Sequence, residues 1–356
     1  MKKNLFTYIL PAALVAGFLC FFFYDAFHYQ TNIDDSYNDA ALSRVGIIGS
    51  VKLFFMEVNG RWFSHIITAI GFKFLKHNYV YYALYVSGIM LLFVASIAVL
   101  YRRYYNTFFK EEVTAYGSIL FAFVFTATLY FLLFAGRQEI WAWVSSANNH
   151  LLSVILSALL FALLLKENRL VYKTLAVFLL AAAIGGLNEV NAVCCAMAVF
   201  GFFVVVRNYY REVKISSVDV AVAICIIIAS LSVNVLSGGY ASRMNGLPDF
   251  TLGQSLKNTV HTFALPVMQY QLIGLRLFAL FAFLFFLDSD LLKLKVVKQQ
   301  LVIGLGILAI VWVSFFLHCF ILSDIVPARG EVWGYTLVLF VLAVKNRNEP
   351  IQLPGK

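Results

Sequence analysis

Charge is what this chain has least of. Asp, Glu, Lys and Arg together make up 13% of its 356 residues, against 62% for the apolar types, too few to clothe a soluble domain of that length. The five cysteines, Cys20, Cys194, Cys195, Cys225 and Cys319, all fall in apolar runs without CxxC or Cys/His spacing, so neither a disulfide framework nor a zinc site is indicated. P-loop, His-Glu-x-x-His, Gly-x-Ser-x-Gly and GxGxxG patterns are all missing, and with them the usual sites for nucleotides and for hydrolytic triads. The net charge is +9, but no basic patch is interleaved with aromatics on a soluble face, so nucleic acid is not an expected partner.

What is there is a series of apolar runs, lacking barrel-strand alternation and long enough to cross a bilayer as helices. They fall near Phe6–Tyr24, Val80–Tyr101, Val113–Phe134, His150–Leu165, Val171–Leu187, Val190–Val206, Val218–Leu236, Thr262–Leu287, Leu301–Leu322 and Val332–Val344. If the amino terminus is cytoplasmic, every inner segment is basic: Lys2 and Lys3; Arg102, Arg103 and Lys110; Lys166, Arg169 and Lys173; Arg207, Arg211 and Lys214; Lys293, Lys295 and Lys298; Lys345, Arg347 and Lys356. The positive-inside rule then predicts an all-α fold, a polytopic transmembrane helix bundle of about ten spans with both termini cytoplasmic. Residues 1–356 are expected to form one integral membrane domain. Met1 to Tyr24 resembles a secretory signal at its start but has no small-x-small cleavage pattern, which predicts an uncleaved anchor.

Residues 25–79 form the longest polar interval and the first extracytoplasmic loop. It carries the densest acidic cluster, Asp34, Asp35 and Asp39, and then Asn59-Gly60-Arg61-Trp62. Val51–Phe55 and Trp62–Phe74 are amphipathic, predicting short helices along the outer membrane surface. In the next outer segment Trp141 and Trp143 stand beside Asn148, Asn149 and His150. They fit an interfacial aromatic belt or a sugar site, where flat apolar faces meet amide hydrogen bonders. Glu189 follows Gly185-Gly186-Leu187-Asn188 and is either an intramembrane acid with a functional role or part of a helix cap. Arg243 follows a Gly-Gly turn suited to a bound anion, and Arg276, deep in a span, needs an acid, a carbonyl or water. Arg137, Arg243 and Arg329 recur on the face that should be poor in them, which suggests an anionic ligand outside.

An acidic pair directly after an amino-terminal anchor, followed by amphipathic loop helices, resembles the GT-C group of membrane glycosyltransferases that use polyprenyl-phosphate sugars. More narrowly, Asp34-Asp35-Ser36-Tyr37, Asn59-Gly60-Arg61, the Gly-x-x-Asn-Glu turn at Gly185 to Glu189 and the late loop with Arg243 are similar to a bacterial multi-pass family of unknown function grouped with those transferases. The resemblance implies a multi-pass protein of the bacterial plasma membrane that moves a sugar from a polyprenyl-phosphate carrier to a glycan, lipid or protein acceptor on the outer face. It implies Asp35 or Asp34 as the base that accepts the acceptor's proton, and Arg61, Arg137, Trp143, Asn148, His150, Glu189, Arg243 and Arg329 as substrate-binding residues. Some members of the group use a divalent cation, Mg or Mn, for which Asp34, Asp35 and Asp39 would be the ligands. Two rival classes remain: a transporter or flippase gated by Glu189 and Arg276, and a non-catalytic envelope scaffold in which Asp34 and Asp35 only cap a loop.

Overall fold

The computed structural model describes residues 6–28, 33–75, 78–109, 112–166, 171–210, 212–245, 252–268, 273–287, 312, 316 and 334–340. The described elements are all helical: α1 (Phe6–Phe27), α2 (Ile33–Leu53), α3 (Trp62–Leu75), α4 (Tyr79–Phe108), α5 (Ala115–Leu132), α6 (Val144–Ser146), α7 (Leu152–Leu164), α8 (Val171–Gly185), α9 (Glu189–Tyr209), α10 (Ser217–Val235), α11 (Gly238–Asn245), α12 (Leu252–Met268) and α13 (Ile273–Leu287). Several begin where a short polar side chain satisfies the first orphan amides. Asn78 accepts from Val80, Thr114 from Gly117, Asn188 from Val190 and Asn191, and Ser216 from Asp219. π-Helical turns at Phe54–Val58 and Ala147–Leu151 extend α2 and join α6 to α7.

Among the described residues six helices are long and apolar enough to cross a membrane: Ile9–Phe27, Val80–Phe108, Ala115–Leu132, Val144–Leu164, Glu189–Asn208 and Ser217–Val235. Large apolar side chains such as Leu84, Leu91, Leu92, Phe178 and Phe200 stay exposed on the helices, an arrangement costly in water and free in lipid. The protein is therefore a helical membrane protein. Over the span expected at Thr262–Leu287 the described residues hold the end of α12, with Pro266 in its last turn, and α13; α12 starts ten residues earlier, inside the expected outer loop. The expected span Leu301–Leu322 lies almost wholly outside the described residues, as does Arg329.

Polar contacts gather at the two ends of the bundle. At one end Lys173 pairs with Asp219 at 2.9 Å and donates to the Lys166 carbonyl, while Thr107 donates to the Leu165 carbonyl. The other end holds the first polar interval, which is helical and not an extended loop: Asp34 and Asp35 stand in the first turn of α2, where a helix amino terminus favours carboxylates. α2 then bends at Gly46, whose φ of 70° is open to glycine at little cost.

Candidate functional site

At the second end, α2, α3, the two π-helical turns, α6, the start of α9 and α11 surround a cavity of about 180 Å³. Asp34, Arg61, His65, His150, Glu189 and Arg243 line it, with Ser64, Ser146, Asn149 and Tyr37 among the neutral groups. π-Helical turns inside longer helices mark functional positions in many proteins, and here Phe54 and Val58 from one and Asn149 and His150 from the other face the same space.

The two neighbouring acids part company. Asp35 is 1% exposed; its carboxylate accepts from the Val144 amide at 3.2 Å, the Ser145 amide at 3.0 Å and the Ser145 hydroxyl at 2.6 Å. It thus caps α6, tying the start of that rod to α2. Asp34, one position earlier on the helix and so turned away by about 100°, is exposed and faces the cavity.

Glu189 and Arg61 form a two-pronged pair. Arg61 Nε donates at 3.1 and 3.0 Å to the two carboxylate oxygens, and Nη2 donates at 2.8 Å. Glu189 is a first-turn acid of α9, as the helix-cap reading expects, and its carboxylate is buried. Its partner is placed by one backbone and one side-chain bond: Phe63 N donates to the Gly186 carbonyl at 3.0 Å, and Trp62 Nε1 to the Ser230 hydroxyl at 3.2 Å. His65, one turn beyond Arg61, donates through Nε2 to Asn59 Oδ1 at 2.7 Å and stacks on Phe54. Burial pushes its imidazole down to about 4, against a raising contribution from its bond to Asn59; it is neutral in the folded protein at pH 7.

Arg243 reaches the cavity from α11. Gly239 behind it does not cradle an anion, for a Cβ there would stand 2.6 Å from the Phe55 carbonyl and 2.8 Å from the Asn59 amide. The Gly-Gly pair lets α11 dock against the π-helical turn.

Other expected residues lie elsewhere. Arg137 pairs with Asp25 at 2.8 Å, and Asp25 also accepts from Tyr130 at 2.7 Å and Gln138 at 3.1 Å, so its charge is answered within the protein and away from the cavity. Asn148 is fully buried, accepting from Tyr85 at 2.8 Å and donating to Thr68 at 3.2 Å; it ties α3 and α4 to the second π-helical turn. Trp141 is a core residue against Phe93 and Tyr130, and Trp143 packs on the core edge. Glu189 and Arg276 do not meet, since Arg276 donates to the Leu132 carbonyl at 3.1 Å. Among the described residues no group of three or more His, Cys, Asp or Glu side chains is placed to hold a metal ion; Asp34, Asp35 and Asp39 do not converge, because both Asp35 oxygens are committed to α6. Ser64, His65 and Ser146 join the cavity without any short motif in the sequence to mark them. No family model matches the chain, nor does any curated protein or solved structure.

Proposed function

We propose that the protein is a GT-C-type glycosyltransferase of the bacterial plasma membrane, taking a sugar from a polyprenyl-phosphate carrier on the outer face. The observation that carries this reading is that Asp34 and Arg243 line one cavity, so a base and an anion-binding cation can act on the same substrate. With about ten spans and both termini cytoplasmic, this cavity lies outside, because the opposite end carries Lys166 and Lys173.

In this reading Asp34, not Asp35, takes the proton of the acceptor hydroxyl as its oxygen attacks the anomeric carbon. The carbon–oxygen bond to the carrier breaks and its electrons leave on the phosphate. Arg243 faces the charge that develops there, a preorganised donor in a partly buried site; Arg61, its Nε and Nη2 fixed by Glu189, lines the same wall. Among the described residues Asp34, Asp35 and Asp39 do not gather into a ligand set, and no step is assigned to a divalent cation. The test is sugar transfer from a polyprenyl-phosphate hexose in membranes: Asp34→Asn is expected to lower the rate by ~10² to 10⁴ at unchanged expression. Full turnover in Asp34→Asn would remove the base, and movement of the intact lipid-linked sugar across the membrane without bond cleavage would establish transport in its place.

A further inference from the structure

The cavity has two chemically different walls. One is ionic: Asp34, the Arg61–Glu189 pair and Arg243. The other is neutral and comes from α3 and the start of the α6–α7 rod. On it Ser64 is 1% and Ser146 4% exposed, and neither hydroxyl has a hydrogen-bond partner among the described residues; nor does Asn149 Oδ1, whose amide nitrogen is held by the Ser145 carbonyl at 2.9 Å. Buried hydroxyls in folded proteins are nearly always partnered, so three unpaired buried polar atoms on residues that line one cavity mark a place for a ligand that brings its own donors and acceptors. Tyr37, 53% exposed at the rim with its ring held edge-on to Phe54 at 5.4 Å, adds an aromatic face.

We infer that the wall formed by Ser64, Ser146 and Asn149 is a seat for a single hexopyranose ring, read through its neutral hydroxyls, with Tyr37 against the ring's apolar face. This deepens the glycosyltransferase reading and rests on it for the identity of the carrier. Size supports one ring: about 180 Å³ is below the roughly 300–1,000 Å³ of sites for drug-sized ligands. Chemistry supports a polyol, because hydroxyls both donate and accept, as serine hydroxyls and an amide oxygen require. An oxyanion would be drawn to the arginine wall instead.

The test uses the full-length protein in lipid nanodiscs, with binding measured for bare polyprenyl phosphate, for polyprenyl-phosphate glucose, galactose and mannose, and for the free methyl hexosides. At least one hexose-bearing lipid is expected to bind about tenfold tighter than the bare carrier. Ser64→Ala and Ser146→Ala are each expected to lose roughly 3- to 10-fold of that preference, and the double variant nearly all of it, with bare-carrier affinity as the internal reference. A serine-dependent preference for a free methyl hexoside, with none for the lipid-linked sugars, would assign the seat to the acceptor's ring. Equal binding of bare and hexose-bearing carriers together with no methyl hexoside binding, or a preference intact in the double variant, overturns the seat. The outcomes separate it from the enzymatic reading: serine-dependent sugar binding without transfer leaves the seat standing and removes the transferase, whereas transfer indifferent to both serines does the reverse.

Discussion

Replacing Asp35 by Asn should cost more stability than replacing Asp34. The Asp35 carboxylate is 1% exposed and accepts three hydrogen bonds, from two backbone amides and one hydroxyl, at the start of α6. An amide keeps one acceptor oxygen but turns an NH₂ toward a donor, leaving that donor unmet in a buried place. Loss of a charge-assisted bond removes about 1.5–3 kcal/mol, and loss of the charge at a helix amino terminus about 0.3–1 kcal/mol more, so about 2–4 kcal/mol is expected. The assay is the unfolding midpoint of purified protein in mixed micelles, measured beside sugar transfer. A double-mutant cycle sharpens it: Ser145→Ala should destabilise the natural protein but cost almost nothing more in an Asp35→Ala background, because its hydroxyl would already have lost its acceptor. If Asp35→Asn left the midpoint unchanged while transfer fell by orders of magnitude, the division between a capping acid and a cavity acid would be refuted and Asp35 would return as the base.

The remaining expectations come from other parts of the site. His65 has a folded value of about 4 against 6.5, so the unfolded chain binds more protons between those values; its contribution is complete above about pH 6.5 and falls by about 3 kcal/mol as the pH drops to about 4. His65→Gln should flatten that acid limb in mixed-micelle unfolding measured across pH. Arg243→Ala should weaken polyprenyl-phosphate binding by about 10-fold or more, whereas Lys257→Ala on the exposed side of α12 should change it little; equal effects would reduce Arg243 to ordinary interfacial charge. Gly239→Ala forces a Cβ to within 2.6 Å of a carbonyl oxygen and should cost about 1–3 kcal/mol, together with loss of carrier binding as α11 lifts Arg243 away. Cysteines placed at Asn38 and Asn245 should react with an impermeant thiol reagent from outside, and those at Asn106 and Asn208 only after permeabilisation; labelling of Asn38 and Asn208 from one side would break the proposed alternation.

The apolar runs are legible in the sequence because the bilayer demands so many consecutive apolar residues that little else produces them. The polar interval is harder. Asp34-Asp35 in a stretch rich in Asn, Ser and Tyr suggests a loop, yet these residues open a helix because their carboxylates suit a helix amino terminus and one of them docks onto α6. α12 begins at Leu252, ten residues before the expected span, because its first residues are too polar to register in a hydropathy average. Arg137 looks like a ligand-binding charge because its partner, Asp25, ends an apolar helix 112 residues earlier, and pairing across such a distance leaves no trace in one sequence. Arg61, Glu189 and Arg243 each stand out alone; that they share a cavity comes from how α3, α9 and α11 pack.

The helix α3 shows how a membrane changes what an amphipathic pattern means. Its stripe of Trp62, Phe63, Ile66, Ile67, Ile70 and Phe74 predicts an amphipathic helix, and in water the apolar stripe would turn inward. Here Ile70 and Phe74 are exposed, at 40% and 70%, while Ser64, His65 and Thr68 are buried beside Ala69, Phe72 and Leu75. In a bilayer the apolar side has a solvent of its own, so outward exposure costs nothing, and the polar side has nowhere to go but the interior of the bundle. A polar face directed inward cannot be packed dry without leaving donors and acceptors unmet. Asn59 answers His65 and Asn148 answers Thr68. Ser64, on the same face, finds no such answer among the described residues, and it lies where the cavity opens. The inward side of α3 thus brings Ser64, His65 and Thr68 to a polar chamber at the edge of an otherwise apolar bundle, and Arg61, just before its first residue, lies against Glu189.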